Sequence, residues 1–135
     1  MPQIPTAEQL RELMPFALTL GIELEQPTPE GAAGSLAWAP GLCTAGGVMH
    51  GGAILSLADT LGAVCAFMNL PEGAATTTIE TKTNFFRAVR GGTVKGVARP
   101  LHVGRTIIVV QTELSDDDGR AVAQTVQTQA VLTSS

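Results

Sequence analysis

One carboxylate, Asp59, stands in the middle of a long apolar run of this 135-residue chain. An acid within an apolar helix lowers stability unless it has a partner or a chemical task. At helical spacing, Asp59 shares a face with small side chains that leave room for a ligand or a second backbone: Gly52, Ser56, Thr60 and Ala63. Asp59 is therefore either a carboxylate that attacks a carbonyl carbon or activates water, or an acid held by neighbouring hydroxyls or an arginine.

A glycine pair, Gly51 and Gly52, directly precedes the apolar run and follows His50. The first N–H groups of a helix lack intrahelical partners and carry the positive end of its dipole. Because glycine has no Cβ, a ligand carbonyl can approach these donors closely, as stabilisation of an oxyanion requires. The simpler alternative is that the glycines only allow a tight turn into the helix. His50 is a supporting residue of the same candidate site.

Charge is distributed unevenly along a chain whose net charge is −4. Residues 81–112 contain no Asp or Glu, but they hold six basic residues: Lys82, Arg87, Arg90, Lys95, Arg99 and Arg105. A basic region in an acidic protein suits a phosphorylated ligand, although basic residues at strand edges also discourage aggregation. The negative net charge and the small number of aromatic residues, four Phe and one Trp, argue against a nucleic-acid partner.

Cysteine and histidine are too few and too scattered to suggest a metal site. Cys43 and Cys65 form no closely spaced pair, which fits small apolar side chains in a reduced, cytoplasmic protein. The run 53–70 is long enough to suggest a membrane span, but the acid at its centre would be costly in a bilayer. We therefore expect no metal, no cofactor and no membrane partner.

The pattern of apolar residues changes from helical to alternating after the central run. Before that change, it predicts two helices, at about 7–16 and 51–69, and two short strands, at 21–25 and 34–39. After it, four strands are predicted: 76–88, 93–102, 106–115 and 120–132. A parallel α/β sheet does not fit, since strands and helices fail to alternate. The order predicts an α+β fold, an antiparallel sheet wrapped around one long central helix.

The segment MHGGAILSLADTLG, residues 49–62, resembles the signature of the hotdog-fold thioesterases, in the branch named for phenylacetic acid degradation. The later runs TTTIETKTNFFRAVRGGTVKGVARPLHVGRT and TELSDDDGRAVAQTVQTQAVL are also similar to that family. The resemblance covers about residues 10–133, and we expect residues 1–135 to form a single hotdog domain. It implies hydrolysis of acyl-coenzyme A thioesters without a metal, by dimers or dimers of dimers.

The resemblance also implies roles for individual residues. Asp59 matches the family's catalytic acid, and His50 matches a histidine that shapes the loop around the donor glycine. Arg105, in a Gly-Arg turn, and Arg90 match basic residues that often lie beside the nucleotide. Thr78 is similar to a Ser or Thr that lines the pocket.

One position departs from the family pattern. Many relatives carry Asn or Gln fifteen residues before the catalytic acid, close to the substrate carbonyl or the attacking water, whereas this chain has Thr44 there. A hydroxyl can still form a hydrogen bond, but its reach is shorter. The acyl group could be aryl, arylacetyl or aliphatic, and Phe67, Met68 and Phe85 are either pocket residues or plain core.

The sequence thus predicts a thioesterase in which Gly51 N–H polarises the carbonyl, with Gly52 in support, and Asp59 acts as nucleophile or general base. Gly51 and Asp59 are eight residues apart on one helix, which corresponds to about 12 Å. We therefore expect the acid to come from the partner subunit of a two-fold dimer. The alternatives are a hotdog hydratase of acyl thioesters and a non-catalytic acyl-coenzyme A-binding protein.

Overall fold

The computed structural model describes residues 4–134. The elements before and including the central helix are α1 (Ala7–Glu12), α2 (Pro15–Leu20), β1 (Glu23–Leu24), β2 (Ala32–Ala37) and α3 (Gly51–Phe67). Two short 3-10 turns, Pro40–Leu42 and Ala45–Gly47, lie in the loop before α3. Four long strands follow: β3 (Ala75–Phe85), β4 (Thr93–Val103), β5 (Ile107–Ser115) and β6 (Ala121–Leu132).

The strands form a six-stranded antiparallel sheet in the order β1-β2-β4-β5-β6-β3, and α3 packs against five of these strands. Leu57, Leu61 and Cys65 of the helix are fully buried, as are Val94 and Val110 on the facing strands. Burial of each of the larger side chains contributes roughly 1.5–3 kcal/mol to the stability of the fold. The predicted antiparallel sheet around one central helix is therefore confirmed.

One face of α3 is not covered by the sheet. A stripe along this face is partly or fully accessible and, apart from Asp59, consists of small uncharged residues: Gly52, Ser56, Asp59, Thr60 and Ala63. The larger side chains of Leu55 and Phe67 are also accessible beside this stripe. Two of the hydroxyls bond back into the helix, Ser56 to the Gly52 carbonyl and Thr60 to the Ser56 carbonyl. Because these hydroxyl hydrogens are bonded within the helix, Asp59 is the charged group that remains along this stripe.

Strand β3 lies at one edge of the sheet and is eleven residues long. In the described part of the chain it pairs only with β6, and a bulge interrupts the register between Thr78 and Glu80. A long strand with an unpaired edge can pair with a strand of another chain. The bulge adjoins Thr78, and bulges often occur where a strand redirects a side chain near a site.

The N-terminal helix predicted at about 7–16 is wrong in its extent. The Thr6 capping box starts α1 as expected, but the chain forms two short helices, with Pro15 at the first turn of α2. Proline has no N–H and its ring crowds the preceding turn, so it begins a new helix rather than continuing the old one. No helix within residues 4–134 has the length and apolar character required to cross a membrane.

Candidate active site

Asp59 lies at the edge of the uncovered face of α3, where the helix meets β3 and β6. Its Oδ1 accepts a hydrogen bond from Gln127 Nε2 at 2.9 Å, and Thr78 Oγ1 lies 2.8 Å from the same oxygen. The single hydrogen of the Thr78 hydroxyl also has a second acceptor within reach, Gln129 Oε1 at 2.5 Å. Asp59 Oδ2 accepts no hydrogen bond from the residues that the structure describes. The carboxylate is therefore held through one oxygen, while the other is free to meet a reactant.

The partners of Asp59 are only partly those expected from the sequence. Thr78, named as a pocket residue, does contact the acid directly. Gln127 was missed, together with Gln129 behind it, and both side chains are completely or almost completely buried. Their spacing shows that two glutamines two residues apart share one face of a strand, but the sequence does not show that this face is buried.

The start of α3 is fixed by the backbone around His50. Met49 N–H donates to the Val89 carbonyl and His50 N–H donates to the Leu42 carbonyl, each at 2.8 Å. The His50 side chain then caps the helix, since its Nδ1 accepts the Gly52 N–H at 2.7 Å. Because Nδ1 is an acceptor, the proton of the neutral ring lies on Nε2.

The two glycines of the motif consequently have different tasks. Gly52 N–H donates to the cap in this structure, so the support of a carbonyl by Gly52 stays a prediction that would require this bond to open. A Cβ at Gly52 would lie 2.9 Å from His50 Nδ1, so glycine makes room for the imidazole ring. Gly51 N–H, in contrast, has no hydrogen-bond acceptor within the described chain. Gly51 is the donor that remains available to a ligand.

An open cleft of about 330 Å³ lies beside Gly51. Thr44, Ile54 and Phe85 contribute to its walls. The Phe85 ring lies 3.2 Å from the position of a Cβ at Gly51, and half of the Phe85 surface is exposed. Phe85 is therefore a wall of this cleft rather than a core residue, and Thr44 lies on the same side of the helix start as the free donor.

The two arginines named from the sequence lie far apart within one chain. Arg90 precedes β4, where its Nη1 donates to the Gly46 carbonyl at 3.3 Å and supports the loop near the start of α3. Arg105 follows β4, in the turn to β5. Because β4 has eleven residues, about 35 Å separates its ends. The acid-free window 81–112 therefore does not form a single basic patch within one protomer.

Gly51 and Asp59 both lie on α3, as the sequence indicated. Eight residues of helix separate them by about 12 Å along the axis, which an Asp side chain cannot span. The structure thus places the Gly51 N–H donor and the Asp59 carboxylate on one helix. They are too far apart to act together on a single carbonyl within one chain.

Comparisons with known proteins give a consistent result. The family model of the thioesterase superfamily matches residues 46–123, which include both Gly51 and Asp59. The 1,4-dihydroxy-2-naphthoyl-CoA hydrolase of Escherichia coli is 35% identical over 86 residues, or 64% of this chain and 63% of the relative.

Solved structures extend the similarity to the whole fold. A mutant thioesterase of Pseudomonas aeruginosa is 32% identical, with a TM-score of 0.90 and 96% of both chains covered. A thioesterase of Haemophilus influenzae is 26% identical, with a TM-score of 0.91 over 97% of this chain and 93% of its own. This chain therefore belongs to the thioesterase superfamily and is a hotdog-fold enzyme of that superfamily.

Proposed function

We propose that this enzyme hydrolyses an acyl-coenzyme A thioester to the free acid and coenzyme A, at a site formed by Gly51 and Asp59. The observation that carries the proposal is the pairing of two free groups. Among the residues that the structure describes, one is a helix-terminal N–H without an acceptor, and the other is a carboxylate oxygen without a donor. Stabilisation of an oxyanion requires a free donor such as the N–H, and attack on a carbonyl carbon or activation of water requires a free carboxylate oxygen.

In the proposed reaction, the thioester carbonyl oxygen accepts the Gly51 N–H, which stabilises the negative charge that develops there. Asp59 either removes a proton from a water molecule that attacks the carbonyl carbon or attacks that carbon itself. In the first route, the oxygen of that water becomes part of the free acid. In the second, an acyl–Asp59 anhydride forms, and water then hydrolyses it to the free acid and the regenerated carboxylate. In both routes the C–S bond breaks and coenzyme A leaves as a thiolate that takes up a proton. The chain's own groups and water are sufficient, so the proposed reaction uses no metal or cofactor.

The acid and the donor at one site are proposed to come from two protomers. The separation along α3 requires this, and the uncovered small-residue face of α3 allows a second helix to approach closely. The unpaired edge of β3 offers a way to align two chains, and Thr78 on that strand contacts Asp59. An antiparallel, two-fold pairing would place each Asp59 near the other protomer's Gly51. A dimer, or a dimer of dimers, is the expected assembly.

The proposed shared site also gives the two arginines a role. In a two-fold dimer, Arg90 of one protomer and Arg105 of the other can approach the same nucleotide, although they are far apart within one chain. Both side chains are exposed, and arginine binds phosphate groups through charge-assisted hydrogen bonds. Coenzyme A, which carries several phosphate charges, is therefore the proposed carrier of the acyl group.

The acyl group is proposed to be aromatic or arylacetyl, as in the branch named for phenylacetic acid degradation. One relative is named for hydrolysis of an aromatic acyl-coenzyme A. The half-exposed Phe85 ring beside Gly51 offers an aromatic acyl group a surface against which to pack.

The proposed location of the enzyme is the cytoplasm. Both cysteines are free thiols, and free thiols are typical of proteins in that reducing compartment.

A panel of acyl-coenzyme A esters tests the proposal, with benzoyl, phenylacetyl, 1,4-dihydroxy-2-naphthoyl and aliphatic groups. Release of free coenzyme A should be followed by chromatography, because Cys43 is partly exposed and could react with a thiol reagent. We expect turnover of at least one aromatic ester and its loss in Asp59→Asn. Tight binding without release would indicate a binding protein, and hydration of an enoyl ester without release would indicate a hydratase.

A further inference from the structure

Gln127 lies on β6 against the middle of α3, and only 1% of its surface is exposed. Its Nε2 donates one hydrogen to Asp59 Oδ1 at 2.9 Å and the other to Gln129 Oε1 at 3.0 Å. Its Oε1 is buried and accepts no hydrogen bond from the described residues. An unpartnered buried acceptor destabilises a fold. A buried apolar side chain at this position would serve the core better than this amide.

The carboxylate of Asp59 determines which way the amide points. If the amide of Gln127 were reversed, its Oε1 would face Asp59 Oδ1, and two acceptors would lie in contact. Behind Gln127, Gln129 Nε2 donates to Thr76 Oγ1 at 3.1 Å, and that hydroxyl donates to the Ala130 carbonyl at 2.8 Å. A directional set of hydrogen bonds therefore connects the sheet backbone to the catalytic acid.

Gly62 provides the space that Gln127 occupies. It is buried within α3, one turn after Asp59, and a Cβ at this position would overlap Oε1 and Cδ of Gln127. Glycine within a helix is less favourable than alanine, so its presence here requires a packing reason. The buried amide supplies that reason, because it cannot move away without losing its hydrogen bonds to Asp59 and Gln129.

We infer that Gln127 is a positioning residue for Asp59, and that Gly62 is the glycine that admits it to the site. Gln127 holds Oδ1 and thereby directs Oδ2 toward the reactants, while its N–H stabilises the ionised carboxylate. This inference rests on the proposed thioesterase function. It assigns a kinetic role to a residue that does not contact the substrate.

The first test replaces the amide by an apolar side chain of similar length, in Gln127→Met. We expect kcat to fall about tenfold with KM changed less than twofold, because a hydrogen bond to a charged group is lost while substrate contacts remain. Gln124→Met is the matched control. It changes the same residue type on β6 at a partly exposed position, and should leave both kcat and KM unchanged.

A second test remains informative if Gln127→Met folds poorly. Gly62→Ala should by itself reproduce the fall in kcat with little change in KM, because the added methyl group displaces the amide. In a Gln127→Ala background, Gly62→Ala should cause no further fall in kcat, since the methyl group then occupies vacated space. Thermal unfolding of each variant separates these effects from a general loss of fold.

The possible outcomes have distinct meanings. An unchanged kcat in both Gln127→Met and Gly62→Ala overturns the inference while the proposed function stands. Losses that multiply in the double variant show that the two residues act independently, which contradicts the role given to Gly62. A wild-type enzyme that hydrolyses no thioester overturns the proposed function and this inference with it.

Discussion

His50 Nδ1 accepts the N–H of Gly52 at 2.7 Å, so the side chain before the glycine pair closes the first turn of the helix that follows it. This bond separates the tasks of the two glycines. It uses the second N–H of α3 for stability and leaves the first, on Gly51, without an acceptor among residues 4–134. The cap therefore also determines which donor the substrate can reach.

Removal of the cap should lower stability in a way that another capping residue can restore. His50→Ala should reduce the free energy of unfolding by about 1 kcal/mol, the usual weight of an N-cap. His50→Asn should recover most of it, because an asparagine oxygen can accept the same N–H. Urea unfolding of the three proteins measures the difference. Equal stability of the Ala variant and the wild type would show that the cap does not contribute to the free energy of unfolding.

Asp59→Asn should fold normally and lose at least about a hundredfold in kcat, as is typical when an acid–base group is removed. The amide is the same size but can neither attack a carbonyl carbon nor accept a proton efficiently. Steady-state kinetics with the best ester of the panel measures the loss, with circular dichroism as the control for folding. Turnover near the wild-type rate would refute the mechanism.

Arg105→Ala should raise KM for coenzyme A esters about five- to tenfold with little change in kcat, because the nucleotide is bound similarly in the ground and transition states. Esters of pantetheine, which lack the nucleotide, should show no such change. Arg120→Ala is a matched control, since Arg120 is paired with Asp116 and Asp118 in the β5–β6 hairpin. If the pantetheine esters lose as much as the full substrates, Arg105 does not contact the nucleotide.

Mixed dimers test whether one site combines Gly51 of one protomer with Asp59 of the other. Asp59→Asn and Gly51→Pro should each be nearly inactive, the second because proline lacks the N–H. When the two are refolded together in equal amounts, half of the dimers should be mixed, each with one intact site of two. Recovered activity should then approach about a quarter of the wild-type value.

The structure makes Gly51→Pro a suitable variant for this experiment. Residue 51 is the first residue of α3, where proline is well tolerated, and His50 before it has a ψ of 136°, which proline favours. Gly51→Ala, which keeps the N–H, is the control for crowding against Phe85. A mixture as inactive as its parents, with mixed dimers seen by mass spectrometry, would show that each site lies within one chain.

Alkaline pH should destabilise the protein through Cys65. Burial of this thiol raises its pKa to about 11 from a usual value near 9. Between these values the unfolded chain loses the proton while the folded chain keeps it, so the free energy of unfolding should fall as the pH rises from 9 to 11. In Cys65→Ala, the decrease in urea-unfolding free energy over this range should be smaller, and an equal decrease would exclude the thiol as its cause.

The central helix and the long strands could be predicted from the sequence because their patterns arise from burial, which the fold preserves. The apolar residues of α3 and the alternation in β3 to β6 gave the architecture to within a few residues. The first helix was wrong because the apolar spacing continues across Pro15, where the missing N–H and the ring of proline break the helix. The spacing was followed and the local effect of the proline was not.

The buried partners of Asp59 could not be predicted from the alternation of apolar and polar residues. Alternation alone assigns the apolar Val126 to the core and the polar Gln127 to solvent, yet Val126 is the more exposed of the two. The order is reversed because Asp59 lies opposite and needs a donor, which only the sheet topology reveals. In the same way, Arg90 and Arg105 are close in sequence but separated by the length of β4.

The residues around Gly62 lower the stability of the fold while they support the proposed activity. A glycine in the middle of a helix costs about 1 kcal/mol relative to alanine, and an unpartnered buried oxygen costs roughly 1–3 kcal/mol. Both losses are located beside Asp59. Because a methyl group at residue 62 would overlap the Gln127 amide, substitutions chosen only for heat resistance would have to change residues 62 and 127 together, and they would trade turnover for melting temperature.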